Sequence, residues 1–424
     1  MLLATLHPMA HLLGINMDIT GATHLTQCLA CGSSDLEPVL NLNDQPLANN
    51  FLTTTTDHEP AWPLAVNVCR HCYHLQLTHA VDPALIYTHY LYVSGTSRTQ
   101  HEYMEWFAKF VREYYVDTPT MVLDIGCNDG TQLHYFKQLG ASTHGIDPAE
   151  NLYATSSQEH NIMCDFFNAE TADKFLTQYG QMDLVVAQNS FAHNPDPVGY
   201  LTALRRVIKP DGLFFIQTSQ ADMVLNNEFD TIYHEHVNFY NINSMRELCR
   251  RTGFNLVDVQ KTPIHGTSYI FVLGVNRSCP NRVDNLIETE RLTGLYELAT
   301  YRAWTNTVGE TINRLRLQCQ TFTERGYKLI GYGAAAKGNT LLNASKIHLD
   351  AIIDDNPLKQ GLYSPGQHVP VVGIDSLAAI NVNQPVVFIP LAWNFYKEIR
   401  ARILSHRSVE HDRFMRYFPK VTVE

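Results

Sequence analysis

An apolar run, Met121-Val122-Leu123-Asp124-Ile125, breaks into Gly126-Cys127-Asn128-Asp129-Gly130 and is followed at once by a helical pattern, Thr131-Gln132-Leu133-His134-Tyr135-Phe136. Strand, glycine turn and helix in this order constrain the chain more than any other stretch. Glycine lets the backbone turn tightly and approach a ligand, and the helix that follows presents unpaired N–H groups at its start. The unit reads as a crevice for a nucleotide-like cofactor. The dinucleotide fingerprint Gly-x-Gly-x-x-Gly is absent here, so the identity of the cofactor must come from the rest of the chain.

From Thr120 to about Val275 strand and helix patterns alternate in the manner of a parallel, doubly wound sheet. The second strand ends at Asp147, about twenty residues beyond the glycine loop, where a carboxylate accepts ribose hydroxyls. A third ends near Asp165 and Phe166, an acid for an exocyclic amine and an aromatic face for a purine. The fourth, Met182 to Asn189, ends in amides at the crevice, and Pro210-Asp211-Gly212 opens a fifth. With Asp124, Gly126, Asn128 and Gly130, the residues Asp147, Asp165, Phe166 and Asn189 are the cofactor-binding candidates. This succession is more similar to a class I S-adenosylmethionine methyltransferase than to a dehydrogenase.

The N-terminal part carries Cys28-Leu29-Ala30-Cys31 and Cys69-Arg70-His71-Cys72. Two thiolates three residues apart on a turn take two corners of a tetrahedron, and the second pair completes a closed four-cysteine zinc site. A closed site has no position for substrate, so the metal is expected to be structural. His71 and His74 are alternative ligands. The nine cysteines, an odd number scattered through an α/β pattern, point to reduced thiols in the cytoplasm. A net charge of −11 gives no support for binding nucleic acid or an anionic membrane, and no run approaches the roughly 18 apolar residues that span a bilayer. Met1 to Gln27 lacks the basic start of a signal peptide and reads as a tail, with Met17 an alternative start.

Between the cysteines and the glycine loop, Tyr87-Thr88-His89-Tyr90-Leu91-Tyr92-Val93-Ser94-Gly95-Thr96-Ser97 is crowded with hydroxyls. It is either a strand and turn leading into the next helix or a loop contacting sugar and phosphate. Downstream, Tyr233-His234-Glu235-His236 gathers titratable groups suited to acid/base work. The zinc pattern His-Glu-x-x-His is not present there. The last part repeats the opening theme: Lys328 to Tyr332, then Gly333-Ala334-Ala335-Ala336-Lys337-Gly338-Asn339-Thr340, a second strand and glycine-rich turn of a small Rossmann-like unit whose lysine suits a pyrophosphate.

Both cysteine pairs, Gln45-Pro46-Leu47-Ala48-Asn49-Asn50-Phe51, the Gly-x-Asn-x-Gly loop, Tyr233 to His236 and the Gly333 to Thr340 turn together resemble the sugar-nucleotide C-methyltransferases over most of the chain. The resemblance implies an α/β chain in serial parts: a tail (1–24), a zinc-binding domain (25–80), an S-adenosylmethionine methyltransferase core (81–280) with its substrate loop at 87–97, a helical connection (281–325) and a C-terminal Rossmann-like domain (326–424). It implies methyl transfer to a carbon beside a ketone in a nucleotide-linked keto-deoxysugar. His236 would be the base with Tyr233 and Glu235 beside it, and Tyr90 or Tyr92 the loop tyrosine. Ser94, Ser97, Lys337 and Asn339 would bind substrate. Gly95, Ala335 and Thr267-Ser268-Tyr269 depart from the family pattern at positions expected near the sugar. The enzyme is expected to work as a monomer or weak homo-oligomer. An O- or N-methyltransferase, or an inactive zinc-containing binding protein, remains an alternative at this stage.

Overall fold

The computed structural model describes residues 21–56, 59–96, 98–116, 121–218, 221–264 and 267–424. Ser97 and the N-terminal segment with Met17 lie outside the described residues. The central sheet is made of β1 (Met121–Ile125), β2 (Ser142–Ile146), β3 (Asn161–Met163), β4 (Met182–Gln188), β5 (Ile208–Thr218), β6 (Asn255–Thr262) and β7 (Ser268–Gly274). Their spatial order is β6-β7-β5-β4-β1-β2-β3. β1 to β5 run parallel, and β7 lies antiparallel to both β5 and β6. This is the sheet of a class I methyltransferase.

The sequence pattern predicts parallel strands throughout, and β7 alone runs against the others for a simple reason. Residues 263–267 are too few for the dozen or more that a parallel crossover needs, so β6 and β7 form a hairpin. The Pro210-Asp211-Gly212 turn does not precede the fifth strand but lies within it, as a register shift between Ile208 and Leu213.

Both faces of the sheet are covered, which is why its central strands read as unbroken apolar runs. Alternate residues part cleanly. Val122, Leu184, Val186, Phe215 and Val272 join Tyr103, Phe107 and Val111 of the helix Arg98–Tyr114. Leu123, Ile125, Val185, Ala187, Phe214 and Ile216 face the other way, into a cluster that also contains Cys28, Ala30, Cys69 and Cys72. The cysteine turns are therefore part of the same core as the sheet. A short strand, Leu75–Leu77, pairs antiparallel with Asn238–Phe239, fixing the segment that follows His236.

Among the described residues, contacts divide the chain into two compact units, and the division is interleaved. One unit takes the segments through Glu37, Asn67–Ala221 and Glu235–Tyr296; the other takes Pro38–Val66, Asp222–His234 and Glu297–Glu424. The second unit is built on β8 (Lys328–Tyr332), β9 (Ala351–Ile353), β10 (Val371–Val372), β11 (Val386–Pro390), β12 (Arg413–Arg416) and β13 (Thr422–Val423), in the order β10-β9-β8-β11-β12-β13. All but β13 are parallel, as a Rossmann-like unit requires. No helix among the described residues is long and apolar enough to cross a membrane.

One buried carboxylate organises the back of the first unit. Glu290 accepts the Ile242 N–H at 2.8 Å, at the start of the helix Ile242–Thr252, the Tyr269 hydroxyl at 2.9 Å, and the Tyr296 hydroxyl. Tyr269 is therefore a core residue, and its departure from the family pattern answers to Glu290. Replacing Glu290 with Leu leaves these donors unsatisfied and is expected to destabilise the chain by about 3 kcal/mol, read from urea denaturation midpoints.

Candidate active site

β1 and β4 are neighbours at the point where the strand order reverses, and ligands of open α/β sheets sit beyond the carboxyl ends of such strands. Gly126, with φ of 82°, donates its N–H to Ile146 O at 2.8 Å, and a Cβ here would run into the Ser190 side chain. At the end of β2, Asp147 accepts the Asn128 N–H on Oδ2 at 2.7 Å and the Ala149 N–H on Oδ1 at 2.9 Å. Each oxygen keeps a lone pair for a hydroxyl. Burial raises this carboxyl above its ordinary range.

Asp124 is 3% exposed, and its Oδ1 has no hydrogen-bond partner among the described residues. Burial first, then the charges of Asp147 and Asp129, push it up to about 8. Such an acid on the strand leading into the crevice fits a ligand that brings a positive charge. Asp165 accepts the Phe166 N–H at 2.8 Å and the Thr171 hydroxyl at 3.2 Å. Asn189, at φ 56°, follows β4 with its N–H on Gln217 O at 2.8 Å. Gly130 closes the loop with its N–H on Cys127 O at 2.9 Å and opens the helix Thr131–Gln138.

The tyrosine-rich segment lies against this loop. The Asn128 side chain accepts the Ser94 N–H at 2.9 Å and donates to Tyr92 O at 3.0 Å. Asp129 Oδ2 accepts the Gly95 N–H at 2.8 Å. Asn151 accepts the Tyr90 N–H at 3.1 Å and donates to Tyr90 O at 2.9 Å. From there the Tyr90 hydroxyl donates to Glu235 Oε2 at 2.6 Å, and the Tyr87 hydroxyl to Glu235 O at 3.2 Å.

His236 adjoins Glu235 in sequence, and its ring stacks on His193 with centroids 5.2 Å apart. His193 in turn stacks on Tyr87 at 5.5 Å and 7°. The structure thus brings Tyr90, Glu235 and His236 into one cluster and adds two residues that sequence reasoning left out, Tyr87 and His193. Burial lowers His193 to about 4, and its Nε2 has no hydrogen-bond partner among the described residues. It meets His236 as a neutral ring. The signal for it was available: His193 sits four residues after Asn189, just beyond a crevice strand. Tyr92 is placed 6.4 Å from Tyr90, ring to ring, and is 42% exposed.

Tyr233, Lys337 and Asn339 belong to the second unit. Lys337 lies in the first turn of the helix Ala336–Ser345, its Nζ 5.2 Å from the centroid of Trp393. Trp393 is held by a hydrogen bond from its Nε1 to Asp230 at 2.9 Å. Asn339 is buried and donates to Ala48 O at 2.7 Å, while its Oδ1 has no partner among the described residues. The second glycine turn repeats the fastening of the first: Asp354 accepts the Ala334 N–H at 2.6 Å and the Asn356 N–H at 2.8 Å.

The sulfurs of Cys28, Cys31, Cys69 and Cys72 lie within 4.8 Å of one another, with Cys28 to Cys72 at 3.6 Å and Cys31 to Cys69 at 3.5 Å. A disulfide needs about 2.05 Å. A tetrahedron with zinc–sulfur bonds of about 2.3 Å has edges of about 3.8 Å, so the set fits a closed zinc site. Hydrogen bonds among the four sulfurs hold Cys31 and Cys69 below the usual thiol range and push Cys28 and Cys72 above it. Neither His71 nor His74 belongs to the group.

Two outcomes follow from this geometry. Cys72→Ser, or a strong chelator, is expected to remove the zinc and lower the melting temperature by roughly 5 °C or more, read by metal analysis and calorimetry. Because Asp124 binds its proton more tightly folded than unfolded, the ligand-free protein should lose stability as pH rises from 3.8 towards about 8. Asp124→Asn should flatten that slope in denaturation measurements.

Three family models match the chain in succession: a zinc binding domain over residues 28–87, a methyltransferase domain over 96–259 and a C-methyltransferase C-terminal domain over 263–419. The C-methyltransferase NovU of Streptomyces niveus is 30% identical over 386 residues, 88% of this chain and 91% of that protein. A ubiquinone biosynthesis O-methyltransferase of Aromatoleum aromaticum is 25% identical over 36% of this chain and 71% of its own length. Among solved structures, a methyltransferase from Clostridium acetobutylicum covers 41% of this chain and 92% of its own at 15% identity, with a TM-score of 0.34. Methyltransferases of the class I fold take their methyl group from S-adenosylmethionine, and the glycine loop with Asp147 and Asp124 fits that cofactor. The chain belongs to the C-methyltransferase family.

Proposed function

We propose that this enzyme transfers methyl to a carbon beside a ketone in a nucleotide-linked keto-deoxysugar, through an enolate, and that it works in the reduced cytoplasm. The observation that carries the reading is the joined cluster of Tyr90, Glu235, His193 and His236. A carbon acid next to a ketone does not attack a methyl donor until a base has taken its proton and a hydrogen bond holds the enolate oxygen. Amines and hydroxyls have no such need for a carbon base.

Bound S-adenosylmethionine supplies an electrophilic methyl group. In this proposal Asp147 accepts its ribose hydroxyls, Asp165 and Phe166 meet its base, and Asp124, Gly126, Asn128, Gly130 and Asn189 shape the crevice. His236 takes the proton from the substrate carbon. Its neutral neighbour His193 fixes the plane of the ring, and Glu235, itself held by Tyr90, stabilises the imidazolium that forms. Tyr92 or Tyr233 donates to the developing oxyanion, the Tyr90 hydroxyl being given to Glu235, with Ser94 beside the sugar. Lys337, with Asn339 in the same helix, is the proposed pyrophosphate holder. A cation in the first turn of a helix, with no acidic residue there, suits an anionic ligand. The zinc takes no part in the chemistry.

His236→Asn is expected to bind S-adenosylhomocysteine normally but to lose methyl transfer by about a hundredfold or more, together with solvent deuterium exchange at the substrate carbon. The substrates for this test are dTDP- and GDP-linked keto-deoxysugars. If the unaltered enzyme methylated oxygen or nitrogen of such a sugar and exchanged no carbon-bound hydrogen, the enolate reading would fall.

A further inference from the structure

We propose that Asp129, acting with Asn128 and Asn151, is a positioning residue for the methyl-transfer site: these side chains fasten the tyrosine loop to the walls of the cofactor crevice, so that occupancy of the crevice orders the loop that contacts substrate. The coupling to cofactor rests on the donor reading above, whereas the fastening itself does not.

None of the described residues from Tyr87 to Thr96 is buried, and Leu91 and Tyr92 are 41% and 42% exposed. Apolar burial therefore does not hold this segment. Its backbone is held by five hydrogen bonds from Asn128, Asp129 and Asn151. Asn128 and Asp129 lie in the turn after β1, and Asn151 lies in the first turn of the helix Glu150–Ser156, just beyond Asp147. The backbone N–H of Asn128 is also the group that Asp147 fixes, so the same residue faces the cofactor position with its main chain and the tyrosine loop with its side chain.

Gly95 shows how close the two loops come. A Cβ at this position would lie 2.6 Å from both Asp129 Oδ2 and Thr131 Oγ1. Its carbonyl is met at 3.0 Å by His101 Nε2, whose other nitrogen lies 2.9 Å from the Tyr135 hydroxyl. The glycine at this point of departure from the family pattern is thus required by the contact. Asp129 divides its work between two oxygens. Oδ1 accepts the N–H at 3.2 Å and the hydroxyl at 2.7 Å of Thr131, the first residue of the helix Thr131–Gln138, while Oδ2 takes Gly95. Gly95→Ala therefore disturbs the fastening from the loop side, pressing on Asp129 Oδ2 and on the Thr131 hydroxyl alike.

Linkage makes the effect reciprocal: a ligand that steadies the turn after β1 steadies the tyrosine loop, and a substrate bound to the loop tightens the cofactor. Chymotrypsin cleavage after Tyr90, Leu91 and Tyr92 in the full chain reads the fastening directly. Rates are taken relative to cleavage after Phe395, which is 41% exposed in the second unit, so that a general loss of stability cancels. Without ligand, Asp129→Ala and Gly95→Ala are expected to be cut in the loop about five-fold faster than the unaltered chain, and Asp129→Asn, which keeps an acceptor oxygen, at nearly the unaltered rate. Saturating S-adenosylhomocysteine should slow loop cleavage about five-fold in the unaltered chain and less than about two-fold in Asp129→Ala, with binding of the probe followed by calorimetry. Equal loop cleavage in the ligand-free variants and the unaltered chain overturns the fastening. Equal protection in Asp129→Ala and the unaltered chain overturns the coupling. If the probe fails to bind the unaltered chain, the donor reading fails, and the ligand-free rates still decide the fastening.

Discussion

The site hangs on a carboxylate that never has to leave its place. Asp147 fixes the Asn128 and Ala149 amides, and the turn after β1 can then hold its positive φ at Gly126 and Asn128. Asn128 holds Tyr92 and Ser94, the same loop carries Tyr90, and Tyr90 reaches Glu235. A chain of hydrogen bonds and loop backbone therefore runs from the end of β2 to Glu235 without passing through the hydrophobic core. Placement of this kind is directional, which apolar packing alone cannot supply.

The cluster itself combines two sorts of constraint. Glu235 is set by hydroxyls from the tyrosine loop, while His236 is set by ring contacts with His193 and Phe239. The pairing of Leu75–Leu77 with Asn238–Phe239 anchors the backbone immediately beyond. Thus the candidate residues stand on an irregular segment whose far end is tied to regular structure.

Much of this was legible in the residues. The glycine turn and Asp147 were readable because a tight turn and a strand-end acid leave local signatures. The cysteines were readable because metal geometry demands fixed spacings. Tyr87 was readable only as part of its loop and His193 only by its place just beyond a crevice strand; the ring stacking that joins these segments, about a hundred residues apart, is recorded by no local pattern. The antiparallel course of β7 was obscured by its apolar character, which suits either direction of a buried strand. The interleaving of the two units was equally hidden, because which distant segment covers a given face is decided by three-dimensional packing. The family resemblance named Glu235 and a loop tyrosine, Tyr90 or Tyr92, separately, and only the geometry joined Tyr90 to Glu235 by a hydrogen bond.

The four cysteines lie within the cluster that also contains Leu123, Val185 and Phe214 of the catalytic sheet. Their metal is thus not an ornament on a detachable arm. A newly made chain would complete the packing around its catalytic strands only as the ion arrives, so the amount of working enzyme in a cell would track how much zinc is available during its synthesis, even though no step of the reaction uses the metal.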